Sequence, residues 1–128
     1  MALKLIEHVQ ENRNAFEQKV RHIAQKLDIL PEWLMLLMFH ESGLNHRSTN
    51  FIACGGLIGF CPGGGLAMIG KTLDQLISQS NVQQLDDVYT VLQGRKYESF
   101  RDLHLFGFYP VAYWYHKDNP NFVIGSEK

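Results

Sequence analysis

Three features of the chain predict an all-α, or nearly all-α, fold. Apolar residues recur at three- and four-residue spacing along most of its length. The breaks between those stretches carry helix-ending glycines and helix-opening caps. No convincing run of alternating apolar and polar residues reads as a strand. With 128 residues, 45% hydrophobic and 20% charged, residues 1–128 make a single globular domain with one core.

The elements follow in order. Leu3, Ile6, Val9, Phe16, Val20, Ile23 and Leu27 recur at helical spacing among Glu, Gln, Lys and Arg, giving an amphipathic first helix with a break near Asn12-Arg13-Asn14. Pro31 restarts the chain at a first helical position, with Glu32 at the positive end of the dipole. Trp33 to Phe39 is unbroken apolar sequence, so this second helix is buried on most sides, and Gly43 ends it. Leu66 to Ile69 forms a short helix stopped by Gly70, and Thr72-Leu73-Asp74-Gln75 is a capping box opening the next. Ser80 or Asn81 caps a helix through Val82, Leu85, Val88, Tyr89 and Leu92, stopped by Gly94. Ser99 opens a last helix through Phe100, Leu103, Leu105 and Phe106, ended by Pro110, and Tyr109, Tyr113, Trp114 and Tyr115 cluster beyond it.

Composition excludes several classes. Twelve Lys and Arg against 13 Asp and Glu give a net charge of -1, without the basic excess of a nucleic-acid binder. Cys54 and Cys61 are too few for a disulfide scaffold and match no four-ligand zinc spacing. They read as small buried hydrophobes, and the sequence leaves open whether they pair. Met1-Ala2-Leu3-Lys4 shows no secretory signal. Ser48 to Gly70 lacks any charge, but its seven glycines and Pro62 make it a buried glycine-rich loop rather than a membrane span.

Three constellations bear on chemistry. Gly65-Leu66-Ala67-Met68-Ile69-Gly70-Lys71-Thr72 matches the phosphate-loop expression literally. That loop needs a buried strand before it, and here four apolar residues would face the phosphate; a helix stop followed by a cap explains the same residues. His40-Glu41 opens a zinc-protease helix motif, but the position one turn on is Leu44 and His46 lies two residues too far, so no metal is expected. Glu41 itself stands in the last turn of a strongly apolar helix, just before the glycine-rich loop. Desolvation and the negative helix end both raise its pKa, which suits a general acid; the bland alternative is a solvated glutamate fraying from a helix end.

The residues around Glu41 are similar to those of the lysozyme-like soluble lytic transglycosylase family, especially its short phage-type members. Glu41-Ser42-Gly43-Leu44-Asn45, with Asn50 after it, resembles the family's catalytic helix end. Gly56-Leu57-Ile58-Gly59-Phe60 and Pro62 resemble its Gly-Leu-Met/Ile-Gln-Phe loop. Thr72 to Leu76, Val82 to Tyr89 and Asp102 to Ala112 resemble the helical segments that follow, so the likeness spans residues 30–112. It implies a lysozyme-like helical domain with a cleft between the Glu41 helix end and the glycine loop. It also implies cleavage of the β-1,4 bond between N-acetylmuramic acid and N-acetylglucosamine in peptidoglycan, without a cofactor or metal.

In that mechanism one glutamate, Glu41, protonates the leaving oxygen and then activates the muramyl 6-hydroxyl, leaving a 1,6-anhydro product. Ser42, Asn45, Asn50, Gly59, Phe60, His104 and Tyr109 are the implied substrate contacts. No second carboxylate stands out among Asp74, Asp86, Asp87 and Asp102, which favours one-glutamate chemistry over hydrolysis. Three departures stand against the pattern: Gly59 replaces the loop glutamine, Gly63-Gly64-Gly65 replaces a Ser/Thr-Ala, and His104 replaces a tyrosine. They motivate an alternative, a catalytically impaired module that binds glycan or protein, with nucleotide binding a distant third. The implied partner is the glycan strand. A protein made in the cytoplasm reaches that strand in a phage particle or phage tail, through a holin or by a secretion apparatus.

Overall fold

The computed structural model describes residues 2–108. Six α-helices lie among them: α1 (Arg13–Leu27), α2 (Pro31–Ser42), α3 (Gly65–Ile69), α4 (Leu73–Ile77), α5 (Asn81–Leu92) and α6 (Phe100–Phe108). The all-α class therefore holds for the described residues. The break foreseen near Asn12 is real. A short 3-10 turn at Ile6–His8 precedes it, and Asn12 takes the left-handed conformation (φ 56°) immediately before α1.

The helix punctuation follows local chemistry. Pro31 occupies the start of α2, where its missing N–H costs nothing. Thr72 and Ser80 each accept a bond from the backbone three residues on, while Gln75 and Gln83 reach back to the cap N–H. Gly70 ends α3 in the left-handed conformation. Ser99 Oγ accepts from the Asp102 N–H at the start of α6. The expected stop at Pro110 and the aromatic cluster from Tyr109 onward lie outside the described residues.

Helix α2 contributes heavily to the core because it is apolar nearly all round. Leu34, Met35, Leu37 and Met38 are all fully buried, and α2 packs on α1 through one side and on α6 through another. Helix α1 adds Phe16, Val20, Ile23 and Leu27, and α5 adds Leu85, Val88 and Leu92. Truncating any one of these large side chains to Ala costs about 2–5 kcal/mol.

No strand occurs among the described residues, but two isolated antiparallel bridges, Thr49 to Gly55 and Gly55 to Phe60, fold residues 49–60 into a small meander. Gly55 and Phe60 exchange both backbone hydrogen bonds, at 3.0 and 2.6 Å. The next pair outward, Cys54 and Cys61, is therefore a non-hydrogen-bonded pair, the register that brings Cα atoms closest. Their Cα atoms are 4.2 Å apart and the sulfurs are bonded. The pairing that the sequence left open is settled here: Cys54 is buried, Cys61 is only half-buried, and the two form a disulfide, set by a backbone register that sequence spacing did not reveal.

The uncharged window Ser48 to Gly70 forms this meander and α3. No helix of the described residues is long and apolar enough to cross a membrane.

Candidate functional site

Glu41 sits in the last turn of α2. After it the chain turns sharply: Gly43 (φ 66°) and Leu44 (φ 63°) are both left-handed, and their N–H groups close onto Phe39 O and Met38 O. A leucine in that conformation costs about 1 kcal/mol, offset here because Leu44 is buried. This turn carries the chain away from the helix axis and into the meander.

The meander's second turn comes back against the glutamate. Gly59 lies so close that a Cβ built there would stand 3.2 Å from Glu41 Oε1. Gly59 also has φ 70°, so this position favours glycine on two grounds. Glycine at this position lets the loop backbone itself approach the carboxyl.

The side chain of Glu41 is half-buried, while its Oε2 is sealed from solvent with no hydrogen-bond partner. Burial pushes its pKa up from 4.5 to about 7. Of the two causes suggested by the sequence, desolvation is the one at work. At neutral pH a large fraction of the carboxyl keeps its proton.

Three restraints fix the loop facing it. The Ser42 hydroxyl lies 2.8 Å from Leu57 O and 3.1 Å from Met38 O, sharing one proton between its own helix and the loop. Gln84, fully buried on α5, accepts from the Leu57 N–H at 2.6 Å and donates to His46 O and Leu76 O. The Cys54–Cys61 disulfide closes the base over a separation of 7 residues, a constraint on the unfolded chain worth about 2–3 kcal/mol. Sequence reading missed Gln84 and the disulfide as parts of the site. A glutamine next to Leu85 and Val88 on the inward face of α5 was the available signal for the first.

The other implied contacts are placed as follows. Ser42 spends its hydroxyl on the loop. Asn45 Oδ1 accepts from the Arg47 N–H, and Asn50 Oδ1 accepts from Ile52 and Cys54 N–H groups, so both amides build turns. Phe60 is corrected from a substrate contact to a core residue: it is 1% exposed, and its ring sits where side chains at Gly56 or Gly65 would fall. His104 lies on α6 with its ring 5.7 Å from that of His40 and stacked on Phe100 at 5.4 Å. Tyr109 lies outside the described residues.

The phosphate-loop match resolves into the helix stop and capping box. Lys71 Nζ is held by both Asp87 carboxylate oxygens at 3.0 Å and by Gln79. Among the described residues no group of three or more His, Cys, Asp or Glu could hold a metal ion. A cavity of about 470 Å³ opens elsewhere, between Ala53 and Pro62 on one side and α3 with the start of α4 on the other. Its lining does not include Glu41, and Thr72 and Gln75 at its wall are committed to their capping box.

No family model matches this chain, and no match was found among curated proteins or among solved structures.

Proposed function

We propose that the chain is a peptidoglycan-cleaving glycosidase with a lysozyme-like helical domain. It acts on the β-1,4 bond between N-acetylmuramic acid and N-acetylglucosamine as a lytic transglycosylase. The observation that carries this reading is Glu41: a half-buried carboxyl with one desolvated oxygen and a pKa near 7, at the end of a rigid apolar helix and opposite a tightly held glycine loop.

Protonated Glu41 donates its proton to the glycosidic oxygen as the C1–O bond breaks, and the N-acetylglucosamine end leaves as an alcohol. The resulting carboxylate then takes the proton of the muramyl 6-hydroxyl while that oxygen bonds to C1. The 1,6-anhydro ring closes and Glu41 is again protonated. One glutamate completes the cycle, with no water consumed.

The acids that could have served as a second carboxylate support this form. Asp86 pairs with Lys19 at 2.8 Å, Asp87 pairs with Lys71, and Asp102 accepts from the Glu98 N–H. Asp74 is exposed in the first turn of α4. An enzyme using a carboxylate pair needs the two facing each other across the bond.

The test is dye release from labelled peptidoglycan by wild type and by Glu41→Gln. Wild type releases dye and the variant falls to background while keeping its fold. Equal release by both removes Glu41 from the chemistry.

A second reading is a module that binds glycan or protein without cleaving. It is favoured by Phe51, which is 99% exposed beside Ile52 on a turn held by Asn50. Sedimentation with peptidoglycan and no release over long incubation selects it.

A further inference from the structure

The disulfide occupies a particular place in the meander. Cys54 and Cys61 flank the Gly55–Phe60 pair at its base, and the turn they close carries Leu57, bonded to Ser42 and Gln84, and Gly59, set against Glu41. The closed segment contains Gly55, Gly56 and Gly59, and Gly63, Gly64 and Gly65 follow it. Glycine loses more freedom on ordering than any other residue, so this stretch gains most from a covalent closure. The two residues also differ in exposure: Cys54 is 3% exposed, whereas Cys61 is only half-buried.

We propose that the Cys54–Cys61 disulfide is a redox-dependent positioning element that assembles the Glu41 site only after oxidation. In the dithiol form the loop loses its base clamp, Gly59 withdraws, and water reaches the glutamate. The proton donor is then no longer held in its dry position. The switch rests on the reading of Glu41 as the acid, and it gives that reading a location: dormant among cytoplasmic thiols, armed in an oxidising compartment.

The exchange needs an external thiol or disulfide. In reduction, a thiolate attacks the sulfur of Cys61, the more exposed residue of the pair, the S–S bond breaks, and Cys54 leaves as thiolate and takes a proton. A second thiolate then attacks the external sulfur of the mixed disulfide and frees Cys61, so two external thiols end as one disulfide. Oxidation by a low-molecular-weight disulfide runs the same steps in reverse.

The experiment is a carbon-13 NMR titration of the Glu41 side-chain carboxyl in the oxidised protein, the phosphine-reduced protein and Cys54→Ser/Cys61→Ser, with amide exchange of α1 and α5 followed in parallel. The expected midpoint is about 7 when oxidised. It should fall by at least about one pH unit in the other two states, with α1 and α5 still protected. An unchanged midpoint overturns the switch. So does loss of α1 and α5 protection together with the loop, because the disulfide would then hold the whole domain rather than the site. Peptidoglycan cleavage measured on the same samples separates the two readings. A redox-dependent midpoint without cleavage keeps the switch and removes the glycosidase; cleavage that ignores redox state does the reverse.

Discussion

Gly59 and Glu41 are fitted to one another: the backbone at 59 lies where any larger residue would put its Cβ 3.2 Å from Glu41 Oε1. The loop backbone thus approaches one carboxyl oxygen, Oε1, while the other, Oε2, is sealed from solvent without a hydrogen-bond partner. Gly59→Ala meets this contact and a left-handed φ of 70° together. The variant should lose about 1–2 kcal/mol of stability in urea titration. It should also move the Glu41 midpoint away from that of wild type. A variant matching wild type in both would remove the loop from the site.

The raised pKa sets the sign of the pH dependence. As general acid, Glu41 must be protonated in the substrate complex, so cleavage should fall as pH rises through about 7. Initial rates of muropeptide release across pH 5 to 9 check this. A flat profile through neutrality would contradict it.

Stability follows the same proton. The folded protein holds it up to about 7 and the unfolded chain releases it near 4.5, so this contribution is complete below 4.5 and lost as pH rises through 7. Glu41→Gln, a neutral isostere, should therefore be more stable than wild type at pH 8. The gain should be about 1–3 kcal/mol after allowing for the solvent that still reaches the side chain. The two should converge near pH 4. His46 acts in the opposite sense in both proteins: burial, then Arg47, lowers its pKa against an opposing pull from Glu11, so its share of stability is lost as pH falls below 6.5. Denaturant titrations at the two pH values measure the difference directly.

Gln84 satisfies three backbone groups from a fully buried position. Gln84→Leu keeps the volume and strands the Leu57 N–H and the His46 carbonyl, while Leu76 O keeps its bond from the Gln79 N–H. The expected loss is at least about 2 kcal/mol, with faster amide exchange at Leu57. Unchanged exchange there would mean that another group fixes the loop.

Lys71 pairs with the buried Asp87 carboxylate, which is 7% exposed, and among the described residues it is the cation on it. Lys71→Met should destabilise the fold by about 1–3 kcal/mol, the partly exposed lysine moderating the penalty. Thermal unfolding at neutral pH reads this out. An unaltered midpoint would free Lys71 for a ligand and reopen the phosphate-loop reading.

Helix punctuation was legible because it is local. The capping box at Thr72, a cap at Ser80 or Asn81 that the structure places at Ser80, Pro31 at the start of α2 and the glycines at 43 and 70 each act within one turn. The upward pKa shift of Glu41 was legible for a related reason: an acid in the last turn of a strongly apolar helix is exposed to desolvation. What escaped the sequence is non-local. The disulfide depends on the Gly55–Phe60 register, Gln84 reaches 27 residues back to Leu57, and Phe60 turns inward because Gly56 and Gly65 leave room for its ring. Motif matching assigned Phe60, Ser42 and Asn50 to a ligand, whereas the backbone uses all three to build the loop that faces Glu41.

The most direct measurement is mass spectrometry of the soluble products when oxidised protein is incubated with purified sacculi below pH 7. Wild type should release muropeptides ending in 1,6-anhydro-N-acetylmuramic acid, and Glu41→Gln should release none. Sacculi left intact by wild type, or the same anhydro products from the variant, would contradict it.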